Sequence, residues 1–576
     1  MLYTVVKKNM YQDSVNLMLL TNHLSQAEGV NQVSVMMGTP ANKDIFKNSG
    51  LYTSELEDAS PNDLCIVVDT GDESVVENVV KGVDEFINNQ STQSQQSAIP
   101  VTRTWEMSQN KMPNANLAVI SIAGEHAASE TNKALDRDLN VFLFSDNVSL
   151  EDEVQLKLKA QAKGLIVMGP DCGTGILHEV PIAFANVIEK GNIGIVGASG
   201  TGIQEITSII SRRGGGISHA IGTGGRDLSA DVGAITAIRG LEALASDPET
   251  DVIAFVSKPP APEVRDKVVG VFKNLGKPVV AVFMGEKPHE DHDNVHYAWT
   301  LEDTALKALE LAENSGLNRI IHHDDVKKIK FNPEQRYIKG YYCGGTLALE
   351  AAMIVEEAFH IDPAADHPEG IMLKHEGTEI IDLGDDAYTQ GRAHPMIDPS
   401  LRVDIVKEAA ANPETAVILL DNVVGYGGHE DMAGVFAPVI KEAKERAEAN
   451  NKALIFIASV TGTQGDPQVY ENQVKTLEEA GAIVAKSNAQ ATRLAVDIIK
   501  YLNASDSTAK AYTEIAATSE SDAVKELISG KPRVINVGLK GFAETIQENG
   551  GQVVQYQWAP IAGGNKRLAR ILEKLK

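Results

Sequence analysis

The chain has 576 residues, 43% of them hydrophobic, which is too long for one core and suits three or four domains. Its 52 basic and 79 acidic side chains leave a net charge of −27, which disfavours nucleic-acid backbones and anionic membrane surfaces as partners. Only three cysteines occur, Cys65, Cys172 and Cys343, all outside any CxxC, and there is no signal-peptide core or membrane-length apolar run, so the sequence predicts a cytoplasmic protein without disulfides or a zinc site.

Residues 1–88 predict a small α/β domain, with strands in LYTVVK, VNQVSVMMGT and DLCIVVDT and helices from Ser14 to Gln26 and over ESVVENVVKGVDEFI. Residues 89–103 carry a Gln/Ser run without apolar periodicity, which reads as an exposed linker. From 104 to 190 the pattern is βαβαβ, with strands LAVISIAG, NVFLFSD and GLIVMGPDC. A new block, 191–325, opens on strand, glycine turn and helix in GNIGIVGASGTGIQEITSIISRRG and continues through HAIGTGG, VIAFVSKPP and PVVAVFMG. Block 336–505 repeats that logic in GYYCGGTLALEAAMIVEEA, EIIDLGDD, TAVILLDNVVGYGG, ALIFIASVTGT and AIVAKS. Continuous apolar strands belong in parallel sheets covered on both faces, so these two blocks read as copies of one architecture. Residues 523–576 read as a separate C-terminal unit.

The sharpest local signal is the turn Ser199-Gly200-Thr201-Gly202 between a strand and a helix. Unpaired amides, a hydroxyl and the positive end of the helix dipole make a phosphate cradle there; a structural turn with Ser199 as a plain N-cap is the alternative. Gly344-Gly345-Thr346 and the turn that includes Gly427 and Gly428 hold corresponding places in the next block, either as a facing clamp or as independent packing turns. Lys258 ends a buried strand, where open α/β sheets bind ligands, and it is a candidate to neutralise a phosphate or carboxylate, against the alternative of a rim lysine pointing into water. In the loop GDDAYTQGRAHPMIDP, Arg392 suits bidentate recognition of a carboxylate and His394 suits general acid–base work, against the alternative of a charged surface loop. His289, His292 and His296 fit no strong metal spacing, and Cys172 reads as buried packing. The tail from Tyr556 to Asn565 sets an aromatic and apolar strip before a basic helix, either a candidate protein contact or a strip packed on its own domain.

The run from ISIAGEHAASETNKALDRDLNVFLFSD through VMGPDCGTGIL, GIVGASGTG, GTGGRDL and TDVIAFVSKPP resembles the α subunit of succinyl-CoA synthetase. GGTLALEAA, IDLGDDA, NVVGYGG and VTGT look like the carboxy-terminal ligase domain of that enzyme's β subunit. With QDSVNLM, SVMMGTPANK, GRAHPMIDP and YQWAPIAGGNK, the whole chain resembles the FdrA family of acyl-CoA synthetase-like proteins. The resemblance implies an α/β fold: a CoA-binding-type Rossmann-like domain at 104–190, and two flavodoxin-like succinyl-CoA ligase domains beside the small N-terminal domain.

Family members resemble a subunit of oxamate carbamoyltransferase in allantoin (purine) catabolism. The implied reaction converts oxalurate and phosphate to oxamate and carbamoyl phosphate, shared with two further subunits. Three departures bear on this. Lys258 stands where the synthetase has a glutamate. The Gly-His-Ala-Gly-Ala loop that carries its phosphohistidine is replaced by KPHEDHDNVHYAWT. The nucleotide-grasp domain is missing. No cofactor is assigned: CoA is the one that the resemblance raises, but the family's phosphate-gripping glycine turn is absent from 104–125. An ADP-forming acyl-CoA synthetase and a non-catalytic scaffold stay open as alternatives.

Overall fold

The computed structural model describes the chain except residues 9, 11, 13–16, 18–19, 22–23, 26, 28, 62, 97–98, 313–330, 332–333, 364–366, 390–392, 451, 504–521 and 560–576. Its strands form four sheets. The first is antiparallel, with Leu64–Thr70 between Leu2–Lys7 and Val30–Met37. Apolar side chains cover both of its faces, one cluster around Leu20, Val35 and Val79, the other around Phe46, Leu56 and Val67. The helix Glu73–Gln96 carries into the Gln/Ser run expected to be linker, and Val101–Thr102 is already a strand of the next sheet.

That second sheet is parallel throughout, in the order Val101–Thr102, Gln552–Tyr556, Arg533–Gly538, Leu117–Ser121, Asn140–Leu143, Val167–Met168. Here the structure corrects the reading of 523–576 as a separate unit, because its two strands lie inside the sheet begun at residue 101. Val534 pairs with Leu117 and Val537 with Ile120. Two short buried strands alone would leave both edges bare, and insertion beside Leu117–Ser121 satisfies them.

The third sheet runs Val295–Tyr297, Val279–Phe283, Val252–Ser257, Lys190–Gly197, Ile217–Gly222, Thr174–Leu177, Val180–Ala183. Its last two strands are an antiparallel hairpin from the segment expected to close the 104–190 domain, so the boundary falls before Thr174. The fourth runs Ile371–His375, Thr378–Asp382, Tyr337–Tyr342, Thr415–Val423, Ile455–Thr461, Ile483–Ala485, parallel except for the edge hairpin Ile371–His375/Thr378–Asp382.

The third and fourth sheets share one apolar core. Ile203, Ile206 and Ile210 of the helix Gly200–Arg212 pack in the same cluster as Leu347, Ala348 and Ala351 of the helix Gly345–Phe359. Buried polar groups fix the register between the units: Asn186 donates to Val424 O at 2.9 Å and Asp466 Oδ2 at 2.8 Å, and Glu205 accepts from Thr461 Oγ1 at 2.6 Å. Unpaired, such groups would each cost on the order of 1–3 kcal/mol, so they permit essentially one docking geometry. Among the described residues no helix is long and apolar enough to cross a membrane.

Candidate functional site

The strand Lys190–Gly197 delivers the chain to Ser199, whose extended backbone starts the helix Gly200–Arg212 and whose Oγ accepts from Gly202 N at 3.0 Å. Gly197 is required here, since a Cβ would come within 2.7 Å of Ile203 Cγ1. On the other unit, Gly344 starts the helix Gly345–Phe359 without a side-chain cap. The two helix starts meet: Ser199 Oγ and Thr346 Oγ1 are 2.5 Å apart, and a Cβ on Gly344 would lie 3.1 Å from Thr201 Cβ. Each start carries about half a positive charge, so bringing them together is unfavourable until negative charge joins them.

One source of that charge is internal. Asp421, fully buried, accepts from Gly344 N at 2.9 Å and Cys343 N at 3.0 Å. Arg402 holds it, with Nη2 2.6 Å from Asp421 Oδ1 and Nε donating to Tyr341 O at 3.0 Å. Among the described residues no carboxylate accepts from Gly200 or Thr201, so the first helix start keeps amides for an outside anion.

Lys258, exposed, follows the strand Val252–Ser257 on the same face. A Cβ on Gly225 would sit 3.0 Å from Lys258 Nζ and 3.1 Å from Asp171 Oδ2, which places these two side chains side by side. Asp171 keeps access to solvent, yet the protein around it raises its carboxyl pKa, and Lys258 opposes that. Asp382, at the end of the strand Thr378–Asp382, lies against Gly345, where a Cβ would approach its Oδ2 to 2.4 Å. Burial pushes its carboxyl up to about 7; the Gly384 N–H at 2.8 Å and Lys258 pull it down, while Asp385 and Asp421 push it up.

Ser199 to Gly202, Gly344 to Thr346 and Lys258 are therefore brought to one place. Gly427 and Gly428 make packing contacts. Their turn packs on the hairpin, with Gly427 facing the Phe184 ring, which a Cβ would approach to 2.4 Å, and with Tyr426 N donating to Ala185 O at 2.9 Å. Arg392 lies outside the described residues. His394 sits behind the site: Nδ1 accepts from Met396 N at 3.2 Å and Nε2 faces Gly384. Burial lowers its pKa to about 4, so it is neutral near pH 7 and holds one nitrogen as acceptor, a poor general acid. His296 faces Asp291 at 3.3 Å and His289 faces Glu286 at 3.4 Å, and among the described residues no cluster could hold a metal. Burial pushes the Cys172 thiol up to about 12, in keeping with packing. Trp558 packs on His126, ring centroids 5.1 Å apart, so the described part of the tail strip covers its own domain.

Sequence reasoning missed Asp382, Asp421 and Arg402. The two aspartates had a signal, since each interrupts an otherwise apolar strand. Arg402 had none.

Paired helix starts between two flavodoxin-like units, joined to a parallel Rossmann-like sheet, define an acyl-CoA synthetase-like protein. Family models agree: "CoA-ligase" matches residues 341–498, "CoA binding domain" 188–285 and "AllF, heavy metal-associated domain" 1–101. The CoA-binding match thus falls on the unit holding Ser199, not on 104–190. The uncharacterized protein YahF of Escherichia coli (strain K12) is 41% identical over 508 residues, covering 86% of this chain and 98% of that protein. The chain belongs to the FdrA family of acyl-CoA synthetase-like proteins. The ADP-forming succinate–CoA ligase subunit alpha of Staphylococcus epidermidis is 27% identical over 192 residues, 33% of this chain and 62% of that subunit. Among solved structures, the apo dinucleotide-forming acetyl-coenzyme A synthetase 1 of Ca. Korarchaeum cryptofilum matches 69% of this chain and 85% of its own, at 15% identity and a TM-score of 0.27.

Two groups suggested by these names fit poorly. In residues 1–101 the one cysteine, Cys65, is fully buried with its thiol pushed up to about 11, which suits packing and not a soft metal. At the strand-end crevice between Ser121 and Gly538, where a CoA phosphate would need donors, Ser121 Oγ accepts from Leu539 N at 2.9 Å and Lys540 pairs with Glu544 at 2.7 Å. The described residues there leave CoA no evident grip, and no step below passes through it.

Proposed function

We propose that this chain is a cytoplasmic subunit of a carbamoyl-transfer enzyme of allantoin breakdown, interconverting oxalurate and phosphate with oxamate and carbamoyl phosphate. The observation that carries the proposal is the meeting of the helix starts at Ser199 and Thr346, with Lys258 in electrostatic reach of the Asp382 that lies against the second and with no phosphohistidine loop to fill the place. A phosphate there neutralises two dipole ends and is held by amides of Gly200, Thr201, Gly345 and Thr346. Lys258 balances the charge that builds on the transferring group. Such catalysis rests on positioning and electrostatic stabilisation rather than a covalent enzyme intermediate. The AllF-type domain at 1–101 supports the allantoin context. Two further subunits complete the assembly and contribute groups that bind oxamate.

The test is formation of carbamoyl phosphate from oxalurate and phosphate, by the chain alone and with its partner subunits. Product only with the partners supports the reading; full activity in partners without this chain reduces it to a scaffold. The CoA-ligase match favours a second reading, an ADP-forming acyl-CoA synthetase, for which ATP-dependent thioester formation is the decisive assay.

A further inference from the structure

We infer that Asp382 is the proton carrier of this site, taking up a proton when a dianion binds between the helix starts and delivering it to the departing amide nitrogen. The inference rests on the carbamoyl-transfer reading for its second half only. Its ground is placement. Asp382 lies against Gly345, next to Thr346, whose hydroxyl touches Ser199. One carboxylate oxygen is held by Gly384 N at 2.8 Å, which fixes the group while leaving Oδ2 directed at the helix start.

The surrounding charges make this carboxyl responsive. Asp385 follows it in its own loop and Asp421 approaches from the strand Thr415–Val423, both raising its proton affinity, while Lys258 from the other unit lowers it. Arg402 pairs with Asp421, and neutral His394 packs on Gly384. Asp382 therefore starts near the middle of the neutral range, and an added dianion beside it must shift it upward, drawing a proton from solvent. An ionised Asp382 repels the substrate; a protonated one admits it.

In the reaction, an oxygen of hydrogen phosphate attacks the carbamoyl carbon of oxalurate, forming the C–O bond. The C–N bond breaks with its electron pair leaving on nitrogen, and the Asp382 carboxyl gives that nitrogen its proton, releasing oxamate. The proton from the attacking phosphate hydroxyl returns to Asp382, so the cycle closes. In reverse, Asp382 gives its proton to the leaving phosphate oxygen, and the resulting carboxylate takes a proton from the amide nitrogen of oxamate.

Calorimetry on the full chain with sulfate, a dianion that does not titrate near neutrality, tests the linkage. At pH 8, in buffers of different ionisation enthalpy, wild type should take up close to one proton per sulfate bound. Affinity should fall steeply, by up to about tenfold per pH unit, above pH 7. Asp382→Asn retains an acceptor for Gly384 N, and it should bind sulfate without proton uptake and with a flat pH dependence. In the active complex the variant should lose kcat and its pH dependence while phosphate KM changes little. Sulfate binding with no proton uptake by wild type overturns the inference and leaves the carbamoyl-transfer reading standing. Absence of any sulfate or phosphate binding overturns both. Should Asp382→Asn not fold, the wild-type proton count decides alone.

Discussion

Replacing Ser199 by aspartate puts the anion site to a severe test, because it sets a carboxylate where the anion is expected. Aspartate caps a helix as well as serine does, so the bond to Gly202 N survives and the helix gains roughly 0.3–1 kcal/mol from its dipole. The Ser199–Thr346 contact must open, at a cost of about 1 kcal/mol for one hydrogen bond. Desolvating the new carboxylate at this buried position adds a further cost, so a thermal melt must first show that the variant is folded. Anion binding should change far more. Two like charges about 4 Å apart repel by about 4 kcal/mol at the effective dielectric of a protein surface. Even half of that is a loss of about thirtyfold in affinity for phosphate. Isothermal calorimetry with phosphate and carbamoyl phosphate reads this directly. Unchanged affinity in a folded variant refutes the cradle and makes the turn merely structural.

Lys258→Ala should lower anion affinity or turnover with little change in melting temperature, because an exposed strand-end lysine adds little to the core. Lys258→Glu should be worse still, and equal activity in all three proteins removes Lys258 from the site. Labelled ATP should leave no stable, acid-labile phosphoryl group on His289, His292 or His296, two of which already face carboxylates, His289 on Glu286 and His296 on Asp291; such label revives the ligase reading. Burial raises Glu350 to about 8, so the folded state holds its proton more tightly than the unfolded chain. That contribution is complete below about pH 4.5 and is lost as pH rises through 8. Glu350→Gln should therefore lose less stability than wild type between pH 6 and 9 in thermal melts, and parallel curves contradict the assignment.

Local signals predicted the fold well where partners lie close in sequence. Apolar strands alternating with helices gave the two ligase-like blocks, and the glycine turn before Ile203 placed Ser199 at a helix start. Pairing between distant segments was not legible. Val534 beside Leu117 closes a loop of more than 400 residues, and no short-range pattern encodes it. The Gly427 turn shows the converse limit, since its glycine spacing looks like a phosphate turn although its left-handed φ of 80° and its Phe184 contact serve packing. Ser199 and Thr346 were legible singly, but their 2.5 Å contact depends on a shared core and on buried bonds such as Asn186–Asp466.

A crystal structure of the chain with carbamoyl phosphate bound tests the central claim most directly. The account predicts the phosphoryl group between the amides of Gly200–Thr201 and Gly345–Thr346, with the Ser199–Thr346 contact opened and Lys258 Nζ turned towards it. A closed Ser199–Thr346 contact, with the ligand elsewhere or absent at saturating concentration, contradicts it.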